Sequence, residues 1–186
     1  MLIRILNIFL SFIAMVILFI PFLIICVLVK ITSPGPAIHW SKRIGKDNKI
    51  FLMPKFRTMK INTPQVATHL LKGEQFLTPI GGFLRKSSLD ELPQLWSVFV
   101  GDMNLVGPRP ALFNQDDLKE LRTNLGVHTI APGVTGWAQI NGRDELPIPE
   151  KVKFDKYYLD HRSVVFDFKI ILLTIYKVIK RSNIQH

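Results

Sequence analysis

Two adjacent carboxylates, Asp90 and Glu91, are the residues of this chain best suited to chemistry. They lie in the stretch Leu84–Leu95, which reads LRKSSLDELPQL, and they follow the basic residues Arg85 and Lys86. Two neighbouring acids repel each other unless their charge is used. An ionised and positioned aspartate can act as a nucleophile or as a ligand for Mg²⁺.

The same stretch contains signals for the start of a helix. Ser88 and Glu91 have the spacing of a capping box, and Pro93 fits only near the first turn of a helix. We therefore expect a helix to begin close to Asp90, where the helix dipole favours an ionised carboxylate. The alternative interpretation is plain helix capping without a chemical role.

Other basic and polar residues could hold phosphate groups. Arg109 lies between two prolines in VGPRP, so its guanidinium is pre-set for a bidentate phosphate contact. Lys55 and Arg57 flank a phenylalanine in KFRTM, and Gln139 and Arg143 belong to the glycine-containing stretch APGVTGWAQINGR. Each pattern has a structural alternative: a surface arginine in a proline-rich turn, a solvated strand edge, and a turn around a buried tryptophan.

An uncharged stretch lies near the N-terminus, and its placement has to be considered before the site can be located. No charged residue occurs between Arg4 and Lys30, and a helix of this length could cross a bilayer. Pro21 lies inside the stretch and should bend the helix. Two topologies remain open: a straight span with Met1 outside, by the positive-inside rule, or a bent helix that enters one leaflet and returns.

The remaining chain predicts short elements. A hairpin of strands Ala37–Lys42 and Ile50–Met53 turns at Gly45–Asn48. Short helices are expected at Gln65–Leu71, Pro79–Lys86, Asp90–Phe99, Asp116–Asn124 (charged and exposed) and Lys153–Asp160. The final helix, Val164–Arg181, is amphipathic. It suits either a membrane interface, with a basic face of Lys169, Lys177, Lys180 and Arg181, or a core position with a solvated lysine edge.

Composition narrows the class of partner. The chain has 186 residues and a net charge of +10, which points to nucleic acid, an anionic membrane or phosphorylated substrates. The basic residues are dispersed beside apolar, glycine and proline residues, which favours membrane and phosphate over nucleic acid. The histidines show no metal-ligand spacing, and the HExxH and GxSxG motifs are missing, so a zinc enzyme or serine hydrolase has no support.

Four motifs in order resemble the bacterial sugar transferases, the small monotopic phosphoglycosyl transferases: KFRTM, LRKSSLDELPQL, GDMNLVGPRP and PGVTGWAQINGR. The resemblance covers nearly the whole chain. The chain is similar in particular to short members that initiate capsules and other glycans. It implies transfer of a sugar 1-phosphate from a UDP-sugar to undecaprenyl phosphate, with release of UMP. The alternative is a non-enzymatic, membrane-anchored scaffold whose basic face binds anionic lipid or a partner.

The resemblance also implies residue roles. Asp90 would be the nucleophile that forms a phosphosugar-aspartyl intermediate and would ligate Mg²⁺, and Glu91 would assist with the metal or a proton. Phosphate and substrate contacts would come from Arg85, Arg109, Lys55, Arg57, Arg143 and Gln139. None of the departures from the family pattern, Ile20, Ser41 and Ala131, affects the acidic pair.

The implied architecture is a mostly helical α/β monotopic membrane protein. Residues 1–32 would form a re-entrant, kinked helix in the bacterial inner membrane. Residues 33–186 would form a catalytic domain on its cytoplasmic face, with a short β-hairpin, several short helices and an interfacial C-terminal helix.

Overall fold

The computed structural model describes residues 2–61, 63, 76–142 and 146–180, without the side chain of Ile179. Within these residues there are eight α-helices: α1 Leu2–Ile17, α2 Phe19–Thr32, α3 Gly81–Lys86, α4 Gln94–Val100, α5 Asp116–Asn124, α6 Trp137–Ile140, α7 Ile148–His161 and α8 Val164–Lys180. The strands are β1 Ile38–Ile44, β2 Ile50–Phe56, β3 Asn104–Val106 and β4 Gly133–Thr135. The helix expected at Gln65–Leu71 lies outside the described residues.

The mostly helical α/β character of the predicted fold class is confirmed: the described residues are mostly helical and contain two small sheets. β1 and β2 form an antiparallel hairpin that pairs Ile38 with Phe56 and Ile44 with Ile50, and β3 and β4 form a short parallel pair. The hairpin turn places Asp47 and Asn48 in the left-handed region, with φ of 53° and 59°. Aspartate and asparagine tolerate this conformation better than most residues do, which is why the chain can reverse here.

The N-terminal apolar stretch is bent. Helices α1 and α2 meet at Leu18 at an angle of 63°, three residues before Pro21. Pro21 has no N–H to offer the carbonyl of Ile17, and its ring crowds that carbonyl, so the break falls one turn before the proline. Within the described residues no single helix is long and apolar enough to cross a membrane. The bent pair together meets that test by length and composition.

Helix α1 is docked to the rest of the protein through its few polar side chains. Asn7 is buried; its Nδ2 donates to Asn104 Oδ1 over 2.9 Å, and its Oδ1 accepts from the Leu105 N–H over 3.0 Å. Arg4 donates to the backbone carbonyls of Val98 and Phe99 at the end of α4. Residues that interrupt an apolar stretch in the sequence are therefore the contacts that fix α1 in place.

Helix α2 packs against the turn that carries the acidic pair. Its buried Ile25 and Val29 pack with Phe56 of β2 and Leu84 of α3. Leu89 and Leu92, which flank Asp90 and Glu91, pack against the same cluster. Full burial of one such side chain contributes about 1.5–3 kcal/mol, so the apolar hairpin anchors the turn that carries the acids.

Helix α8 presents two apolar faces. Ile170 is fully buried and Phe166 packs beside it, whereas Val165 and Leu172 are 80% and 66% exposed. The buried face belongs to the core and the exposed face remains available to an interface. The expectation for Lys177 is wrong: its ammonium donates inward to the carbonyl of Ile140 instead of belonging to an outer basic face. Arg181 lies outside the described residues.

Replacing Asn7 by alanine should destabilise the fold, because the side chain of Asn104 and the N–H of Leu105 would lose their partner in a partly buried contact. Leaving a buried polar group unpaired costs about 1–3 kcal/mol. At this chain length that corresponds to a fall in Tm of several degrees. Thermal unfolding in detergent measures it. Ile5→Ala, on the exposed face of the same helix, is the control; equal Tm values for the two variants would contradict the docking role.

Candidate active site

The acidic pair lies on a single 3₁₀ turn, Leu89–Glu91, between α3 and α4. Helix α4 begins at Gln94 with Pro93 at its N-cap, so the predicted start near Asp90 is four residues too early. The predicted capping box is also wrong. Ser88 adopts the left-handed conformation, with φ of 57°, and its side chain makes no capping hydrogen bond. The Glu91 carboxylate is instead committed to two cations from other parts of the chain.

Glu91 is the centre of a buried charge cluster. Its Oε1 lies 2.9 Å from Lys55 Nζ, contributed by β2, and 3.1 Å from Arg109 Nη2, contributed by the segment after β3. Burial by itself would raise the pKa of Glu91, but the charges and hydrogen bonds of Lys55 and Arg109 outweigh it and hold that pKa well below its usual range. Glu91 is therefore ionised and serves as the counter-ion of both cations.

Asp90 experiences the opposite balance. It is 8% exposed, and burial raises its pKa. Lys55, Arg109 and Arg85 oppose that rise, while the charge of Glu91 adds to it. The expectation that a helix dipole would favour the ionised form is not met, because the turn of Asp90 precedes α4 and desolvation dominates. A carboxylate poised in this way is poorly solvated, and a nearby cation would stabilise its charged form.

The other predicted arginines have separate surroundings. Arg85 Nε donates to Thr58 Oγ1 over 3.0 Å, and its charge acts on Asp90. Arg57 is buried and its guanidinium holds the chain leaving α2: it donates to the carbonyls of Ser33 and Pro34 and to the Ser33 hydroxyl. The Arg57 guanidinium thus braces this loop, and the expected contact of Arg57 with a substrate phosphate stays a prediction. Arg143 lies outside the described residues.

A cavity of about 310 Å³ lies beside the acidic turn; Glu91 lines it, whereas Asp90 is not among its lining residues. The polar residues of the lining are Ser88, Glu91, Arg109, Thr135, Gln139, Asn141, Thr174 and Lys177. The apolar residues include Ala14, Leu18, Leu92, Leu95 and Val178. Because Leu18 lies at the bend of the N-terminal helices, that bend forms part of the cavity wall, and the lining offers contacts to both charged and hydrocarbon groups.

Two residues contribute most to the polar part of the cavity lining. The Gln139 side chain lines the cavity, and both its amide oxygen and its amide nitrogen are buried without a hydrogen-bond partner among the described residues. Such a group is costly unless a ligand or water completes it. Lys177 was not predicted as a site residue. Its signal was its spacing from Thr174, since both are polar residues one turn apart on the inward face of an otherwise apolar helix.

A metal ion at this site would need ligands from a substrate. The described residues contain no group of three or more histidine, cysteine, aspartate or glutamate side chains that could hold one. Mg²⁺, however, commonly binds through one or two carboxylates together with substrate phosphates and water. Asp90 fits that pattern as a single protein ligand, whereas Glu91 is already engaged by Lys55 and Arg109.

Replacing Glu91 by glutamine should make the free energy of unfolding depend less steeply on pH in the acidic range. A folded-state pKa below the unfolded value of about 4.3 contributes stability that is present above that value and is lost as pH falls below it. Wild-type protein should therefore lose stability between about pH 5 and pH 2 more steeply than Glu91→Gln. Denaturant midpoints measured across this range test it. Glu120→Gln, at an exposed acid of α5, should keep the wild-type slope; matching slopes for Glu91→Gln and wild type would contradict the analysis.

Comparison with known proteins places this site in a family. The model of the family described as bacterial sugar transferase matches residues 1–181. A UDP-glucose:undecaprenyl-phosphate glucose-1-phosphate transferase of Escherichia coli (strain K12) is 43% identical over 161 residues, which cover 82% of this chain and 35% of that relative. An undecaprenyl-phosphate galactose phosphotransferase of Salmonella typhimurium is 36% identical over 166 residues, covering 80% of this chain and 34% of the relative.

A shorter relative matches over most of its length. The sugar transferase EpsL of Bacillus subtilis (strain 168) is 41% identical over 160 residues, which cover 84% of this chain and 77% of EpsL. The chain spans about a third of the length of the Escherichia coli and Salmonella relatives. The family match extends from α1 to the end of α8 and includes the turn that carries Asp90 and Glu91. The resemblance seen in the sequence is thus confirmed, and this chain belongs to the bacterial sugar transferase family.

Proposed function

We propose that this protein transfers a sugar 1-phosphate from a UDP-sugar to undecaprenyl phosphate and releases UMP. The observation that carries the proposal is the poorly solvated Asp90 carboxyl, which shares a turn with Glu91. The Glu91 carboxylate is held by two cations and lines a cavity that has both polar and apolar residues in its wall. The Escherichia coli and Salmonella relatives, which are named as sugar-phosphate transferases acting with undecaprenyl phosphate, support the same reaction.

The proposed reaction has two displacement steps. An Asp90 carboxylate oxygen attacks the sugar-bearing phosphorus; the bond from that phosphorus to the bridging oxygen breaks, and UMP leaves with the electron pair. A phosphate oxygen of undecaprenyl phosphate then attacks the same phosphorus. The aspartyl–phosphorus bond breaks, Asp90 is restored as a carboxylate, and the product is a sugar linked to undecaprenyl diphosphate. Low solvation favours such a nucleophile because little water has to be displaced from it.

The main obstacle to this reaction is the repulsion between an anionic nucleophile and a diphosphate, and the cations around the site would offset it. Arg109 and Arg85 would bind phosphoryl oxygens, with Lys55 adding positive charge close to Asp90. We assign Glu91 the role of holding Lys55 and Arg109 in position, since its Oε1 contacts both. Gln139, whose amide has no internal partner, would donate or accept a hydrogen bond with the bound nucleotide sugar.

We propose Mg²⁺ as the cofactor, with Asp90 as its protein ligand. Asp90 would hold the ion, which would supply positive charge to neutralise the phosphates and stabilise the leaving group. Arg85 and Arg109 would complete the neutralisation from the protein.

We further propose that the protein works at the cytoplasmic face of the bacterial inner membrane. The lipid substrate lies in the bilayer and the nucleotide sugar in the cytosol, so the site must lie where the two meet. Exposed apolar side chains of α1, α2 and α8, among them Phe12, Ile31 and Leu172, would enter the head-group and acyl region. The bent helices of residues 1–32 would form a re-entrant hairpin, and residues 33–186 the catalytic domain.

A membrane-anchored scaffold without enzyme activity is the second candidate. It is favoured by the exposed apolar faces alone and does not account for the charge cluster of Glu91, Lys55 and Arg109. A scaffold would release no UMP from any UDP-sugar in the presence of undecaprenyl phosphate and Mg²⁺.

Asp90→Asn should abolish UMP release, because an amide cannot form the phosphoryl ester. The fold should be retained, since the amide matches the carboxyl in size and needs no charge in a poorly solvated place. UMP release from a panel of UDP-sugars with undecaprenyl phosphate and Mg²⁺ measures activity, and circular dichroism checks the fold. Asp102→Asn, an exposed acid nearby, should remain active. Undiminished turnover by Asp90→Asn would refute the mechanism.

The acid limb of activity should lie above the usual range of an aspartate. Because burial raises the pKa of Asp90, the carboxyl stays protonated to higher pH than the ordinary value of about 3.9. The profile of kcat/KM for the UDP-sugar reports the free enzyme in the first half-reaction. Lys55→Gln removes a charge that lowers the pKa of Asp90, so its acid limb should move to still higher pH; a shift to lower pH would contradict the assignment.

A further inference from the structure

The backbone carbonyls of the segment that carries Arg109 accept hydrogen bonds from other parts of the chain. Residues 108–110 contain two prolines, so the segment has a single N–H with which to make hydrogen bonds of its own. Each of its consecutive carbonyls accepts a hydrogen bond from a distant residue: Pro108 O from Gly133 N–H (2.9 Å), Arg109 O from Arg122 Nη1 (2.9 Å) and Pro110 O from Arg43 Nη1 (3.2 Å).

Arg122 is the donor that holds Arg109 itself. It lies on α5, a helix expected from its sequence to be charged and exposed, yet Arg122 is 8% exposed. Its Nε and Nη2 both donate to Asp155 Oδ2 on α7, over 3.0 and 2.7 Å. All three nitrogens of the guanidinium are thus in use, and because the group is planar, binding Asp155 fixes the direction in which Nη1 points.

Stability alone is a poor explanation for this ion pair. Asp155 is 2% exposed, so both charges are removed from water. Burying an ion pair is often no better for stability than burying apolar side chains of the same volume. The pair does, however, meet the backbone of a residue whose side chain binds Glu91 Oε1 and lines the cavity. This connection gives the pair a specific task.

We propose that Arg122 and Asp155 are positioning residues that set the Arg109 guanidinium against Glu91 and the phosphates of the substrate. This inference rests on the proposed function insofar as it names phosphates as the target. The ion pair orients Arg122, Arg122 fixes the Arg109 carbonyl, and the two flanking prolines transmit that position to the Arg109 side chain by limiting rotation of the backbone.

Arg122→Lys is the sharpest test. A lysine retains the charge opposite Asp155, but its single nitrogen cannot reach both that carboxylate and the Arg109 carbonyl with the same geometry. We expect kcat/KM for UMP release to fall about tenfold or more, in keeping with the loss of one charge-assisted hydrogen bond. Val127→Ala, at a buried apolar site next to α5, is the matched control: it should lower Tm comparably and leave kcat/KM unchanged.

A double-mutant cycle distinguishes positioning from general damage. If Arg122 acts through Arg109, Arg122→Lys should reduce activity little further in an Arg109→Lys background. Asp155→Asn should show the same dependence. Equal fold losses with and without Arg109 would overturn the proposal, as would a loss in Val127→Ala that matches the loss in Arg122→Lys.

A readout without activity separates this inference from the proposed function. Hydrogen exchange of peptides covering residues 104–113 should be several-fold faster in Arg122→Lys than in Val127→Ala, since the clamp on the Arg109 carbonyl is released. Unchanged exchange in Arg122→Lys would refute the clamp. If the wild-type protein releases no UMP from any UDP-sugar while exchange responds as expected, the proposed function fails and the positioning of Arg109 stands.

Discussion

The structure depends on one buried carboxylate. Glu91 joins Lys55 of β2 and Arg109 of the segment after β3 through a single oxygen atom. These three residues lie far apart in the sequence, so their contact brings together the hairpin, the acidic turn and the second small sheet. Because Lys55 and Glu91 are largely shielded from solvent, each of these two charges depends on its partner. The same arrangement leaves Asp90, one residue away, with burial as the main influence on its pKa. The two acids therefore share a turn, but their pKa values are shifted in opposite directions.

The apolar helices are part of the site as well as a candidate membrane anchor. Helix α2 packs beneath the acidic turn, and the bend between α1 and α2 places Leu18 in the wall of the cavity. Asn7 and Arg4 tie α1 to β3 and to the end of α4. The helical pair α1 and α2, fixed in this way, cannot shift without moving the turn that carries Asp90. The depth at which the hairpin enters a bilayer would therefore determine the height of the site above it.

Part of the positive charge of the chain serves the protein's own backbone. Guanidinium groups donate to main-chain carbonyls at several places: Arg4 to Val98 and Phe99, Arg43 to Pro110, Arg57 to Ser33 and Pro34, and Arg122 to Arg109. Carbonyls at helix ends, beside prolines and in irregular loops have no partner in a regular backbone pattern, and a guanidinium reaches them with several N–H groups at once. A net charge of +10 is therefore not a direct measure of affinity for anions.

The sequence by itself determined the family, the position of the acidic pair, the hairpin and the bend at a proline, because each is a local pattern. Helix Asp116–Asn124 was predicted with the bounds it has, since its periodicity and polar start lie within its own residues. Only the tertiary structure decided which charges meet. The capping motif predicted at Ser88 and Glu91 does not form. Glu91 instead binds Lys55 and Arg109, which are distant from it in the sequence. Arg57, Arg122 and Lys177 look alike in the sequence, yet one braces a loop, one holds Arg109 and one lines the cavity. The reason is physical: local sequence sets the shape of a segment, whereas the partner of a charged side chain is chosen by burial and distance after the segments have packed.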